Sequence, residues 1–528
     1  MLGLEVVVLL AAVLLAGHVL AARLRLPPPV VLLACGLALG FVPALREVPL
    51  SPEIVLLIFL PVLLYWESLT TSLREIRSNL RPITLMATAL VLGTAAAVAV
   101  TAHALDMPWG PAWVLGAAVA PTDATAVGVL ARALPHRNVT MLRAESLVND
   151  GTALVLYGLA VGVTVGEESL TAGHVGLLLL LSYLGGVAVG AVIAWVGTWL
   201  RRRLSDPLLE NTAIIALPFT AYLLAEVIDA SGVLAVVSCG LIMSQKGPSV
   251  GQAHGRRQTE AFWSLATFLI NGSLFVLVGM KAQDAARGLD GISVGTALLL
   301  VGAVTAVTIG ARFAFLFTTP YLIRLLDRRP QQKARRVGAR PRIVNATAGF
   351  RGAISLALAL AVPTTLSSGA PFPDRDLIVF ATCGVIVCTL VLQGIVLPYV
   401  TRWARFEHDT VLAEELHLAQ RAATERALTA LPQLADRLDV EADVVERLRR
   451  EYEEHLSLVE ANASDTEDDP ALAQAEQYSR LRLALLDHKR DTVIQLRDEH
   501  RIDDTVLRRM QAALDVEEVR LRRTATGP

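Results

Sequence analysis

Charge is scarce in this chain, and unevenly spread. Only 18% of its 528 residues are Asp, Glu, Lys or Arg, 54% are hydrophobic, and mean hydropathy is +0.52. Soluble domains carry about a quarter charged residues, so water cannot surround the whole chain. Residues 402–528 hold 19 basic and 28 acidic side chains, whereas residues 1–401 hold 28 and 21. That contrast divides the sequence into a polytopic membrane domain, 1–401, and a charged helical tail, 402–528. Cysteine is equally sparse. Cys35, Cys239, Cys383 and Cys388 all fall in apolar stretches without zinc or redox spacing, and read as small core residues. The chain has no HExxH or GxGD, which argues against an intramembrane hydrolase and for a protein that is not an enzyme and needs no cofactor. Its basic residues form no aromatic-interleaved face, which excludes nucleic acid as a partner. The amino terminus lacks a basic region before its apolar run of about 20 residues, so it reads as a first membrane helix.

What is abundant is apolar sequence of spanning length. Runs occur near 3–22, 28–45, 52–71, 82–104, 111–133, 141–163, 174–200, 208–229, 231–245, 259–280, 292–319, 343–363 and 376–401. That predicts about 13 transmembrane helices, with 28–45 and 231–245 the shortest. Charge in the loops sets the orientation. With the amino terminus outside, inward loops carry Arg23, Arg74, Arg137, Arg201, Lys246 and others, 20 basic residues in all. The outward loops carry Arg46, Lys281, Arg287 and Arg375. The positive-inside rule therefore places the amino terminus outside and the tail in the cytoplasm.

Two runs are interrupted. Pro121 breaks the fifth within Ala120-Pro121-Thr122-Asp123, and Gly349 and Gly352 flank Arg351 in the twelfth. Interrupted segments at corresponding places in two halves are the sign of an inverted-repeat transporter. With the seventh run as spacer, runs 1–6 and 8–13 form two six-helix repeats of opposite topology.

The sixth run carries the most expensive residues. Within Met141–Tyr157 lie Glu145, Ser146, Asn149 and Asp150, and a carboxylate inside a bilayer costs a few kcal/mol even on lenient scales. Positions 146, 149 and 150 share one helix face, which offers an anion, an amide and a hydroxyl. An all-oxygen set of this kind suits a small hard cation or a proton. The competing structural reading is a buried anion neutralised by a neighbouring helix. Against it, Thr122 and Asp123 sit at a helix break, where freed carbonyls and half-helix ends can help hold a cation. A carboxylate that accepts either a proton or a cation, but not both at once, makes an antiporter. Glu67 is a further acid at the inner part of its span, which could equally snorkel to the interface. Arg351 needs an anion, and Glu145, off the Asp150 face, is the expected partner, linking the two repeats. His18, His103 and His174 read as bystanders. The tail reads as a solvated helical bundle or dimer-packing appendage, with a regulatory module as the alternative. It has helical spacing through 411–460, a linker at 461–470 and further helix to about 523.

At Pro121-Thr-Asp-Ala-Thr-Ala126, Glu145-Ser-Leu-Val-Asn-Asp-Gly-Thr152 and Phe350-Arg-Gly-Ala-Ile-Ser-Leu-Ala357 the sequence resembles the sodium/proton antiporters of the NhaP and NHE type. Leu63-Leu64-Tyr65-Trp66-Glu67 is a looser match, departing at Trp66, and the tail resembles no known module. The resemblance implies a homodimer, a six-helix core with crossed broken helices, and elevator-like alternating access. It also implies that Asp150 binds the monovalent cation or proton, with Ser146, Thr122 and Glu67 as further ligands. Asn149 and Asp123 would support them, and Glu145 would pair with Arg351. Asparagine before the aspartate, as at Asn149-Asp150, is similar to the electroneutral branch. The expected activity is exchange of Na⁺, with Li⁺ or K⁺ as alternatives, for H⁺ across the cell membrane, serving pH and sodium homeostasis. A K⁺/H⁺ exchanger of the same fold and a cation channel are the competing readings. A channel suits buried acids and a buried arginine less well than alternating access does.

Overall fold

The computed structural model describes residues 2–24, 26–42, 55–78, 80–123, 136–166, 172–204, 206–247, 250, 253–289, 293–326, 338–406, 411–463 and 470–525. Among these the chain is helical, and the one β-type contact is an isolated bridge between Thr365 and Pro371. It separates into two compact units, Met1–Glu407 and His408–Pro528.

Every apolar run expected from the sequence contains helix. In the first unit these are α1 (Leu2–Leu24), α2 (Pro28–Leu39), α3 (Leu60–Thr70) and the short α4 (Leu73–Ser78) and α5 (Leu80–Leu85). A π-helical stretch, Met86–Leu90, joins α5 to α6 (Val91–His103), and α7 (Trp109–Val119) follows. Next come α8 (His136–Val165), α9 (Ala172–Arg203), α10 (Pro207–Val227), α11 (Gly232–Lys246), α12 (Ala253–Arg287) and α13 (Val294–Leu326). The interrupted pair α14 (Ala339–Thr347) and α15 (Ala353–Leu360) precedes α16 (Arg375–Ala404). Eight of the described helices are long and apolar enough to cross a membrane, and four apolar helices are shorter. The run expected at 28–45 ends its helix at Leu39, and 43–45 lie outside the described residues.

Local sequence explains the boundaries. Pro28 opens α2, where its missing N–H costs nothing. Asp206 caps α10 by accepting from the Leu208 N–H at 2.8 Å, and Ser231 caps α11 by accepting from the Leu234 N–H at 3.3 Å. Glycine lets helices touch: a Cβ on Gly36 of α2 would stand 2.1 Å from the Val276 carbonyl oxygen of α12.

The three largest buried clusters hold much of the unit together. One gathers Tyr65, Leu147, Val236 and Trp263 from α3, α8, α11 and α12. A second joins Leu32, Val276, Val344, Phe350 and Ile386. A third joins Val98, Leu115, Val304, Leu358 and Val385. The second includes residues of the α14–α15 interruption, and the third packs Leu358 of α15 with α7.

Among the described residues the second unit has four helices where the sequence suggested two stretches: α17 (Val411–Leu438), α18 (Ala442–Ala463), α19 (Pro470–Asp498) and α20 (Asp504–Ala525). Asp439 and His500, both in the left-handed region at φ 52° and 57°, end α17 and α19. Of the expected linker at 461–470, α18 takes Ala461–Ala463, α19 begins at Pro470, and 464–469 lie outside the described residues.

Candidate functional site

The two interruptions cross. α7 stops at Val119, and Pro121 and the next two residues run on without helix. α14 stops at Thr347, and the chain is irregular until α15 begins at Ala353. The Asp123 N–H donates to the Phe350 carbonyl at 2.8 Å, and the Ala353 N–H donates to Asp123 Oδ2 at 3.3 Å. Asp123 thus lies at the amino end of α15, where the helix dipole favours an anion. Gly352 makes this approach possible, since a Cβ there would fall 1.7 Å from Asp123 Oδ2. The segment that follows Asp123, including Ala124–Ala126, lies outside the described residues.

α8 lies against this crossing. Ser146 Oγ donates to the Thr122 carbonyl at 2.8 Å, and Asn149 Nδ2 donates to Thr122 Oγ1 at 2.7 Å. Thr122, Ser146, Asn149 and Asp150 are all buried. The shared face at 146, 149 and 150 is therefore the face that meets the break.

A cavity of about 30 Å³ sits where these elements converge, lined by Glu67, Thr122, Asp123, Ser146 and Asp150 among others. It has room for a guest the size of a water molecule or a monovalent ion, and excludes organic substrates. Glu67 lines this cavity, so the carboxylate sits at the candidate site. Among the described residues, no hydrogen-bond donor reaches the Asp150 carboxylate. An anion without a partner at 2% exposure is costly. A bound cation or a proton would relieve that cost.

Glu145 departs from expectation. Its carboxylate is clamped by Arg312 of α13, Nη1 to Oε1 at 2.5 Å and Nη2 to Oε2 at 3.1 Å, with both side chains 1% exposed. It does not pair with Arg351. That guanidinium instead donates to backbone carbonyls freed by the breaks, Val119 at 2.9 Å, Ala120 at 3.5 Å and Gly349. The physical reason is the interruption itself: broken helices leave carbonyls without partners, and these satisfy Arg351 where it stands. Arg312 also donates to the Asn345 carbonyl, which ties α8, α13 and α14 together.

Sequence reasoning missed Arg312, Asn271 and Ser355. Arg312 is the lone charge in the apolar run 292–319, a signal as plain as Arg351. Asn271 of α12 and Ser355 of α15 line the cavity, and as single polar residues in apolar runs they left little trace. The bystanders stay apart: His18 Nδ1 bonds the Leu14 carbonyl, and His103 bonds Met107 and stacks on Trp109. The His174 side chain lies outside the described residues. All four cysteines are free, and no group of His, Cys, Asp and Glu among the described residues has metal-binding geometry.

Comparison with known proteins gives the family. The transmembrane sodium/hydrogen exchanger model matches residues 8–403. An uncharacterised Na⁺/H⁺ exchanger of Mycobacterium bovis is 47% identical over 98% of this chain and 96% of its own. The Na⁺/H⁺ antiporter ApNhaP of Aphanothece halophytica is 30% identical over 77% and 75%. In fold, the chain is similar to the sodium proton antiporter MjNhaP1 of Methanocaldococcus jannaschii, with TM-score 0.59 and 18% identity over 76% of this chain and 99% of that one. This chain belongs to the sodium/hydrogen exchanger family, as a multi-pass membrane antiporter of the NhaP type that exchanges a cation for H⁺.

Proposed function

We propose that this antiporter exchanges one Na⁺ for one H⁺ without net charge movement, with Asp150 as the group that carries either. The observation behind this reading is a buried carboxylate with no hydrogen-bond donor among the described residues, facing a cavity of ionic size. Thr122, Ser146 and Glu67 are the further ligands, and Asn149 and Asp123 fix the break that presents Thr122. A single site that releases its proton to take a cation couples the two flows through exclusion of double occupancy. One charge in for one charge out is the stoichiometry that the neutral Asn149 beside Asp150 supports. The printed names of the relatives favour Na⁺ as the cation.

In this reading residues 1–401 form the transport domain of 13 spans. It lies in the plasma membrane with its amino terminus outside and the 402–528 tail in the cytoplasm. The antiporter works as a homodimer in pH and sodium homeostasis. Proteoliposomes loaded with a pH-sensitive dye test it. Na⁺ should move protons at the same rate with the membrane potential clamped or free, and two cysteine-tagged copies should crosslink as a dimer. A potential-dependent rate would refute electroneutral exchange, and a response to K⁺ alone would reassign the cation.

A further inference from the structure

Two cavity-lining groups have no role so far. Ser355 lies in the first turn of α15 and is 1% exposed, and among the described residues its hydroxyl has no hydrogen-bond partner. Asn271 lies in the middle of α12, half-buried, and its amide also bonds to none of the described residues. A buried hydroxyl left without a partner forfeits the free energy of a hydrogen bond, and a bound water or ion is one way a native protein satisfies it. Hydrogen bonds already engage one lone pair of each Thr122 oxygen, so further neutral oxygens would complete the shell of a desolvated cation. The Thr122 carbonyl already accepts from Ser146, and its hydroxyl accepts from Asn149. A hard cation stripped of water replaces its shell with oxygens, and neutral oxygens set selectivity without adding charge.

We infer that Asn271 and Ser355 are specificity-determining ligands, supplying neutral oxygens to the cation at Asp150 from α12 and α15. This rests on the reading of Asp150 as the ion site. The two residues come from helices that follow Glu67 and Asp150 in sequence, so the cavity closes on its guest from α3, α8, α12, α15 and the break after α7. A neutral amide and hydroxyl raise cation affinity while leaving the proton count at one. They also give the site a way to rank Na⁺ against Li⁺, because the spacing of fixed oxygens favours one ionic radius.

The test uses full-length protein in dye-loaded liposomes, with Na⁺ and Li⁺ titrated at fixed pH. Asn271→Leu keeps the branched shape and removes the polar atoms, and Asn271→Asp keeps an oxygen in place. Ser355→Ala removes the orphaned hydroxyl. Loss of one ligand should raise the apparent KM for Na⁺ about tenfold, the scale of a single polar contact to a charge, with maximal rate within about twofold. Asn271→Leu and Ser355→Ala should each show this shift, with an altered Na⁺ to Li⁺ ratio, and Asn271→Asp, which keeps an oxygen but adds a charge, should still transport Na⁺. If Asn271→Leu loses all transport while Asn271→Asp retains it, the requirement for an oxygen still stands. Wild-type KM and ion ratio in both Asn271→Leu and Ser355→Ala, with Asp150→Asn inactive, overturns this inference and leaves the ion site intact. Inactivity of both Asn271 variants together with a wild-type KM in Ser355→Ala overturns it as well, since both residues then act through packing or not at all. Transport by Asp150→Asn overturns the reading of the site beneath it.

Discussion

Glu145 and Arg312 are each 1% exposed, and each is the other's counter-charge. Removing one strands the other, and breaking such a pair costs about 3–5 kcal/mol. Arg312→Ala should therefore lower the thermal stability of the purified protein sharply. A double variant, Glu145→Gln with Arg312→Met, should lose much less, since no buried charge is left over. Equal losses in the single and double variants would show that the pair is not coupled. Arg351 behaves differently, because its partners are carbonyls of the breaks and not a carboxylate. This is where residue-level reading of the sequence stopped short. The costly charges were visible as charges in apolar runs, but which pairs with which depends on how the segments cross. Spacing along the chain does not encode that. The oxygen-bearing face at 146, 149 and 150 was legible because helix periodicity alone brings those positions together.

At the scale of elements, the crossing of the fifth and twelfth segments is the feature everything else serves. It depends on the absence of side chains at two points. A Cβ on Gly352 would meet Asp123 Oδ2 at 1.7 Å, and one on Gly349 would meet Arg312 Cδ at 2.5 Å. Gly352→Ala should displace Asp123 from the α15 terminus and reduce Na⁺/H⁺ exchange at least about tenfold. Gly158→Ala, on the same α8 as Asp150 but with nothing within 4 Å of its Cβ, should transport at the wild-type rate. The dye assay on the two variants decides it, and equal rates would remove the crossing from the account. Proline and glycine within apolar runs made the breaks themselves legible. The tail was legible only as helical, because its two turns rest on Asp439 and His500 in left-handed conformation, a state that ordinary sequence signals do not announce.

At the scale of the whole molecule, the chain forms two units with opposite chemistry. The first is apolar and crossed by buried polar residues. The second is charged, with a small core of Leu486, Leu514 and Leu521 between α19 and α20 and exposed ion pairs such as Arg482 to Glu517 at 3.0 Å. Exposed pairs of this kind contribute little individually. Hydrogen bonds from Arg522 and Arg490 hold the Glu518 carboxyl below its usual range. Their contribution is present above that range and lost as pH falls through the lowered value. Amide protection of α19 and α20 in the full chain should therefore weaken in acid, relative to an Arg490→Gln and Arg522→Gln variant that lacks both partners. Truncation after Phe406 removes the second unit and leaves every residue of the cavity in place. The truncated protein should keep Na⁺/H⁺ exchange, and a loss of all transport would assign the tail a direct part in it.

The most direct measurement compares wild type with Asp150→Asn in proteoliposomes carrying an internal pH dye, on addition of Na⁺. Asparagine keeps the shape of the side chain and takes away its ability to exchange a proton for a cation. Wild type should show a rapid pH change and the variant none, with the protein inserted and folded in both. Na⁺-driven proton movement at the wild-type rate in Asp150→Asn would contradict it.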